Sequence, residues 1–244
     1  MAAPQWTELY GVLGAISVLD KDVPKVVKAL HDEGQSQMAD VEERSPAWTT
    51  LGQVTGGDAG FEQSKAWWVA FFEDKDAYHV SHKQAQAKES RAAFIPALMG
   101  MMATGSPVAD MAGGYMGPIL HLEAPKSVRP ATFAILIKIT CPTADAARAL
   151  VQAHKRLALV TLMSSRGTCC RISMLPPGGD APGADDNVVH ILEQWTNMPD
   201  YESFIVMPGR SATPSPTLSR FIADKRDVRV MSFDKKVCHY NKKR

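Results

Sequence analysis

The feature that most constrains this chain is a strand, turn and helix unit that occurs twice. Residues 187–205, NVVHILEQWTNMPDYESFI, begin with an apolar run of strand length and re-enter after a short turn as an amphipathic helix. Pro199 suits the start of that helix because its fixed φ matches a first helical position. Residues 65–85, KAWWVAFFEDKDAYHVSHKQA, show the same pattern. The chain is therefore predicted to contain a duplicated unit.

Two further alignments support the duplication. The tripeptide at 28–30 (KAL) matches that at 148–150 (RAL), and the same offset places residues 46–55 over 166–175. Each copy then contains the order β-α-β-β-α-β. We predict an N-terminal repeat at 1–124, a linker at 125–130 (PKSVRP) and a C-terminal repeat at 131–244.

The strands themselves predict how the two repeats pack. One such repeat is a ferredoxin-like sheet with helices on one face, and its other face must be covered. Runs such as VLGAISVL, AWWVAFF and NVVHIL are apolar on both faces, as expected of strands buried on both sides. We therefore predict an α+β fold in which two ferredoxin-like repeats form an intramolecular dimeric α+β barrel. Such a pseudo-dimer can be a monomer or can form a homodimer.

The clearest difference between the repeats is a stretch rich in methionine and glycine at 99–117. It follows a predicted second helix that runs from Asp76 to about Met102, and it precedes a strand predicted at 117–124. Flexible thioethers and glycines suit a mobile lid or an adaptable apolar wall. A tolerated surface loop with a few buried methionines is the alternative interpretation.

Composition narrows the classes of partner. Lys+Arg 27 against Asp+Glu 26 leaves a net charge of +1, so no overall field favours nucleic acid or an anionic membrane. No run approaches the roughly 18 apolar residues of a membrane span. The four cysteines lack CxxC spacing, and we expect reduced thiols in a cytoplasmic protein.

Several short motifs resemble a known family. They are Glu193-x-Trp195, Asp200-Tyr201-Glu202 at the start of the following helix, and 166–169 (RGTC), which is similar to that family's Pro-Gly-Cys. On these residues the chain resembles the antibiotic-biosynthesis monooxygenase-like domain of the dimeric α+β barrel superfamily. The first repeat departs from the pattern, since Ala70 replaces the glutamate and Phe72 the tryptophan. The superfamily also contains haem-degrading oxygenases, polyketide cyclases and isomerases.

The resemblance implies a small apolar pocket between the sheet and the helices of a unit. In the first repeat, Tyr78 and His82 share one face of the predicted second helix, and His79 lies at its edge. A histidine can move protons near neutral pH, and a phenol can donate to a developing enolate. These three residues are the predicted catalytic group. The alternative is that both histidines are solvated helix residues.

Aromatic and imidazole side chains on the strands are the predicted substrate contacts. Trp67 and Trp68 must point to opposite faces of their strand, so one is expected to face the helices and the other the space between the sheets. His190 aligns with Trp67 and, like His121, interrupts an apolar strand. The predicted substrate-binding set is Trp67, Trp68, Trp48, His121, His190 and Tyr201. For each, core or surface packing is the alternative.

These patterns predict a small-molecule enzyme, a cofactor-independent monooxygenase or related oxidoreductase that acts on a small apolar, aromatic or polyketide-like substrate. The pair at 79 and 82 has no acidic or cysteine partner at a usual metal-ligand spacing, so we expect no metal. A cyclase, lyase or isomerase of the same fold is one alternative. A haem or apolar-metabolite binding protein is another, with His79, His82 or His121 as the axial ligand.

Overall fold

The structure is a computed structural model that describes residues 4–17, 20–39, 47–53, 56–57, 65–80, 109–124, 131–180, 185–205, 220–221, 228–234 and 238–239. Its strands are β1 (Thr7–Ser17), β2 (Ala47–Gln53), β3 (Gly56–Gly57), β4 (Lys65–Phe72), β5 (Ala109–Glu123), β6 (Phe133–Thr140), β7 (Cys169–Leu175), β8 (Val188–Trp195), β9 (Val228–Asp234) and β10 (Cys238–His239). Its helices are α1 (Val23–Ala39), α2 (described over residues 75–80), α3 (Ala144–Ser164) and α4 (Met198–Ile205).

Helix α3 follows directly from its sequence. The Thr143 side chain accepts a hydrogen bond from the backbone N–H of Ala146 at 3.1 Å and so caps the first turn. Asp145 places a negative charge near the positive end of the helix dipole. The buried side chains recur at the helical period and form one face, which consists of Ala147, Leu150, Val151, His154, Ala158 and Leu162.

The described strands form one antiparallel sheet in the order β10-β2-β4-β1-β5-β7-β8-β6-β9-β3. The first half contributes β2-β4-β1-β5 and the second β7-β8-β6-β9, which is the same order of elements, and the halves join where β5 pairs with β7. The predicted α+β fold is confirmed. The duplication as such and its boundaries stay predictions.

The two edges of this sheet lie beside each other. Only residues 54 and 55 separate β2 from β3, yet β3 pairs with β9 at the opposite edge. In the same way β10, which follows β9 closely, pairs with β2. Because so short a connection cannot cross a flat sheet, the sheet must curl into a barrel.

Three apolar cores follow from this curling. An inner core between the curled halves takes side chains from both, among them Leu13, Trp67, Leu136, Leu192 and Phe233. The outer face of the first half packs against α1, and that of the second half packs against α3 and α4. Trp67 faces the inner core and Trp68 the outer one, as the alternation of strand side chains predicts.

The prediction for the stretch rich in methionine and glycine was wrong in part. Residues 109–117 belong to β5, which begins eight residues before the predicted strand and pairs with β1 along its length. They therefore form neither a lid nor a surface loop. Small side chains do not prevent backbone pairing, and the irregularity appears instead as shifts of register at Leu13/Gly14 and Ile16/Ser17. Residues 99–108 and the predicted continuation of α2 beyond 80 lie outside the described residues.

Among the described helices, none has both the length and the hydropathy needed to cross a membrane.

Gly14 is expected to tolerate no larger side chain. A Cβ built at this position would lie 2.2 Å from the Trp68 indole ring, and the residue is buried. We predict that Gly14→Val lowers the unfolding free energy by about 1–3 kcal/mol, as other overpacked sites do, despite the better strand propensity of valine. Urea denaturation measures the effect. In a Trp68→Ala background the same substitution should cost less, and an equal cost there would contradict the proposed clash.

Candidate functional site

Three aromatic rings meet at the edge of the outer core of the first half. Tyr10 on β1 lies with its ring centroid 5.4 Å from that of Tyr78 on α2, and the Phe72 ring at the end of β4 lies 5.3 Å from the same Tyr78 ring. Tyr10 and Phe72 are buried, whereas Tyr78 is half-buried. We call Tyr10, Phe72 and Tyr78 the tyrosine cluster. It forms an aromatic wall in which the Tyr78 ring is partly exposed to solvent.

Charged and titratable groups border this wall. The Asp180 Oδ2 atom accepts a hydrogen bond from the Tyr10 hydroxyl at 3.0 Å and another from Lys75 Nζ at 2.6 Å. The His79 ring lies 5.3 Å from the Tyr78 ring, centroid to centroid, and its protonated form lowers the pKa of the Asp180 carboxyl. We call Lys75, His79 and Asp180 the polar edge.

The protonation states of the edge follow from these contacts. The hydrogen bonds from Lys75 and then from Tyr10 lower the pKa of the Asp180 carboxyl. Burial, followed by the hydrogen bond to Asp180, raises the pKa of the Tyr10 phenol above its ordinary value. Near neutral pH the Asp180 carboxylate is therefore ionised and accepts a hydrogen bond from the protonated Tyr10 phenol.

Asp180 reaches this site from the second half of the chain, in the segment that follows β7. Its backbone N–H donates to the Met116 carbonyl of β5 at 2.5 Å. A Cβ at the neighbouring Gly179 would lie 2.6 Å from the same carbonyl oxygen and 2.9 Å from the Tyr115 ring. Only glycine allows that close approach, so the backbone at Gly179 and Asp180 packs directly against the first half.

The family-like motifs of the second half also meet, between its sheet and helices. Trp195 is fully buried, donates from Nε1 to Glu193 Oε2 at 3.2 Å, and contacts the Tyr201 ring at 5.4 Å. Burial raises the pKa of Glu193, and it raises that of Tyr201 to about 12. Cys169 lies close enough for the Glu193 charge to raise its thiol pKa, although burial is the larger cause. Burial therefore disfavours the charged form of each of these groups.

Two buried histidines lack hydrogen-bond partners at one or both ring nitrogens within the described part of the chain. Neither nitrogen of His154 on α3 has a partner, and burial lowers its pKa to about 4. His190 on β8 has an unpartnered Nδ1, and burial, together with Lys138, lowers its pKa to about 3. Both imidazoles are therefore neutral at physiological pH.

The structure divides the predicted site residues among three places. Tyr78 and His79 lie together, and Trp68 packs in the same outer layer. Trp67, His121 and His190 are on strand faces turned towards the inner core, where His121 Nδ1 lies 2.9 Å from Ser173 Oγ. Tyr201 belongs to the second half. Trp48 lies on β2 opposite Ala70, and His82 falls outside the described residues.

Sequence reasoning missed Tyr10 and Asp180. Tyr10 belongs to the apolar run of β1, where strand alternation alone could have placed it on the face of Val12 and Ile16. Asp180 lies in a loop that is longer in the second half than in the first, and no local pattern shows what such a loop touches.

Within the described residues, no group of three or more histidine, cysteine, aspartate or glutamate side chains is arranged to hold a metal ion.

Comparison with known proteins identifies relatives by structure alone. No family model matches the sequence, and no curated protein matches it. A candidate monooxygenase from Lactobacillus acidophilus NCFM is similar with a TM-score of 0.55 at 12% identity, over 96% of this chain and 100% of that one. A candidate monooxygenase from Fusobacterium nucleatum is similar with a TM-score of 0.56 at 10% identity, over 99% and 100% of the chains. An anthrone oxidase-like protein gives 0.50 at 12% identity, over 96% of each chain. At such identities the likeness shows the fold alone, an α+β fold with a curled antiparallel sheet.

Proposed function

We propose that this protein is a small-molecule oxidoreductase, a cofactor-independent monooxygenase that acts on an aromatic or polyketide-like substrate. The observation that carries the proposal is the tyrosine cluster with its polar edge, since a partly exposed wall there combines aromatic rings with groups that exchange protons. The names of the structural relatives, two candidate monooxygenases and an anthrone oxidase-like protein, support the same class of reaction.

In the proposed reaction the protein binds the substrate and transfers a proton. An electron-rich ring would pack on the faces of Tyr10 and Tyr78, with Trp68 beside them in the outer layer. A histidine, His79 or His82, would take a proton from the substrate carbon next to its carbonyl. The resulting carbanion gives electrons to dioxygen, a carbon–oxygen bond forms, and the hydroperoxide loses water to leave a new carbonyl. In total, one CH₂ and one O₂ become one C=O and one water.

Oxygen uptake by the purified, metal-free protein with a panel of anthrones and quinols tests this proposal. Removal of a general base costs about 10²–10⁴-fold in rate in well-studied enzymes. We therefore expect a His79→Ala/His82→Ala double variant to lose at least about 100-fold in kcat, with Tyr78→Phe losing less. His31→Gln, on α1 of the same half and outside the cluster, is the matched control and should keep the wild-type rate.

The same assay separates the alternatives. Absence of oxygen uptake with every substrate in the panel would contradict the proposal. Conversion that continues at the same rate under nitrogen, yet is lost in the histidine variants, would indicate a cyclase, lyase or isomerase. A Soret band that appears when haem is added, and that is lost in those variants, would indicate a haem-binding protein.

A further inference from the structure

We infer that Asp180 is a positioning residue that the second half contributes to the tyrosine cluster, and that it makes Tyr10 a hydrogen-bond acceptor for the hydroxyl group of an aromatic substrate. The inference rests on the proposed function and narrows its substrate class to phenols and enols. Asp180 is separated from Tyr10 by 170 positions in the sequence, yet the carboxylate and the phenol are 3.0 Å apart.

The role of Tyr10 depends on which partner donates the proton in its hydrogen bond to Asp180. An ionised carboxylate has only acceptor atoms, whereas a phenol has a single O–H donor and two lone pairs. Because the Tyr10 proton points to Asp180, Tyr10 has no donor left for a ligand, and its oxygen can only accept. A ligand hydroxyl can satisfy that acceptor, whereas a methyl ether has no proton to offer.

The groups around Asp180 favour a hydrogen bond in which Tyr10 donates and Asp180 accepts. Lys75 Nζ, 2.6 Å from the same Oδ2 atom, favours the ionised form of Asp180. Protonated His79 acts on Asp180 in the same sense, and among the described residues the phenols of Tyr78 and Tyr115 also interact electrostatically with Tyr10. None of these groups offers Tyr10 a competing carboxylate.

The Asp180 loop is also fixed independently of the carboxylate. The Asp180 backbone N–H bonds to the Met116 carbonyl, and Gly179 sits against that carbonyl and the Tyr115 ring. The Tyr115 hydroxyl in turn donates to the Pro118 carbonyl at 2.5 Å. Removal of the carboxylate alone should therefore leave the loop in place. A variant can then test the role of the Asp180 carboxylate separately from that of the Asp180 backbone.

Binding of two probes tests the inference without any turnover. The probes are 1-naphthol and 1-methoxynaphthalene, and their Kd values are measured by fluorescence titration. A hydrogen bond of ordinary strength contributes up to about tenfold in affinity, so the wild-type protein should prefer the naphthol by about that factor. In Asp180→Ala the freed Tyr10 hydroxyl can donate to the ether, and we expect the preference to fall to within about twofold. Asp145→Asn, an exposed carboxylate paired with Arg148 on α3, is the control that keeps the preference.

A second readout follows Tyr10 directly. Labelling of the tyrosine ring carbons allows the phenol to be titrated by NMR, with Tyr10→Phe giving the assignment. Loss of the carboxylate should move the Tyr10 titration to lower pH by about one unit or more, since a charge and a hydrogen bond that favour the neutral phenol are removed. Asp180→Glu should restore part of the wild-type titration and of the probe preference.

Several outcomes would overturn the inference. The first is a wild-type protein that binds neither probe or shows no preference for the naphthol. The second is an Asp180→Ala variant that keeps the full preference. The third is a Tyr10 titration that is the same in Asp180→Ala as in the wild type. The proposed function fails separately, because absence of oxygen uptake leaves both of these readouts intact. Conversely, oxygen uptake in a protein with an unchanged Tyr10 titration would retain the function and reject the role of Asp180.

Discussion

Replacement of Trp195 by alanine is expected to lower the unfolding free energy by about 3–5 kcal/mol, the usual cost of deleting a large buried aromatic side chain. Trp195 is fully buried, and its ring centroid lies 4.9 Å from that of Phe204 and 5.4 Å from that of Tyr201. Both partners are on α4, so the indole attaches that helix to the sheet. Natural domains have about 5–15 kcal/mol in total, and a loss of this size would leave the second half marginal. Urea denaturation followed by far-UV circular dichroism measures it.

Two variants sharpen the interpretation. Trp195→Phe keeps most of the ring contacts but removes the Nε1 donor to Glu193, and we expect it to cost about 1–3 kcal/mol because the buried carboxyl loses its partner. Phe72→Ala is the corresponding truncation in the first half, where the ring contacts Tyr78 on α2. A loss below about 1 kcal/mol in Trp195→Ala would show that the α4 contacts contribute little to the stability.

Mild acid is expected to destabilise the protein by about 5 kcal/mol between pH 7 and pH 4.5. The cause is the pair of buried neutral imidazoles, His154 with a pKa near 4 and His190 with a pKa near 3, against an ordinary value of 6.5. Since both folded-state pKa values are lowered, the unfolded chain binds protons more readily below pH 6.5. Stability is therefore complete above that pH and falls as the pH approaches the folded-state values. Each histidine contributes about 2–3 kcal/mol to the loss.

The test is urea denaturation at several pH values between 7 and 4.5. His154→Leu and His190→Leu should each remove about half of the acid sensitivity while leaving stability at pH 7 unchanged or higher, because an apolar side chain of similar size needs no hydrogen-bond partner. His190 has Lys138 as its charged neighbour, whereas burial alone accounts for the shift at His154. If both variants lose stability with pH as steeply as the wild type does, the two imidazoles are not the cause.

Much of the fold was predictable from the sequence because it depends on local pattern. Strand β4 lies within the strand, turn and helix unit predicted at 65–85, the Thr143 side chain caps α3 as its residue type favours, and Trp67 and Trp68 face opposite sides of the sheet as predicted. Periods of 2 and 3.6 in hydrophobicity, together with the chemistry of a cap, act within a few residues of chain. These local signals, taken in their order along the chain, give the β-α-β-β-α-β pattern that predicts the α+β class.

The candidate site was predictable only in part. Tyr78 and His79 are adjacent on one helix, so their spacing already placed them together. His121 and His190 are predicted substrate contacts, and strand alternation places both on the inner face of the barrel, away from Tyr78 and His79 in the outer layer. Residues 109–117 look like a loop by composition and form a strand, because pairing with β1 does not depend on their side chains.

What the sequence alone determined is therefore the kind and order of the elements, since propensity, capping and hydrophobic period are properties of short segments. What only the tertiary structure decided is which distant groups meet. The curled sheet brings the loop after β7 onto β1 and β5, and so places Asp180 beside Tyr10 and Lys75. That meeting depends on how far the sheet curls and on the path of one loop, and both result from packing across the whole barrel.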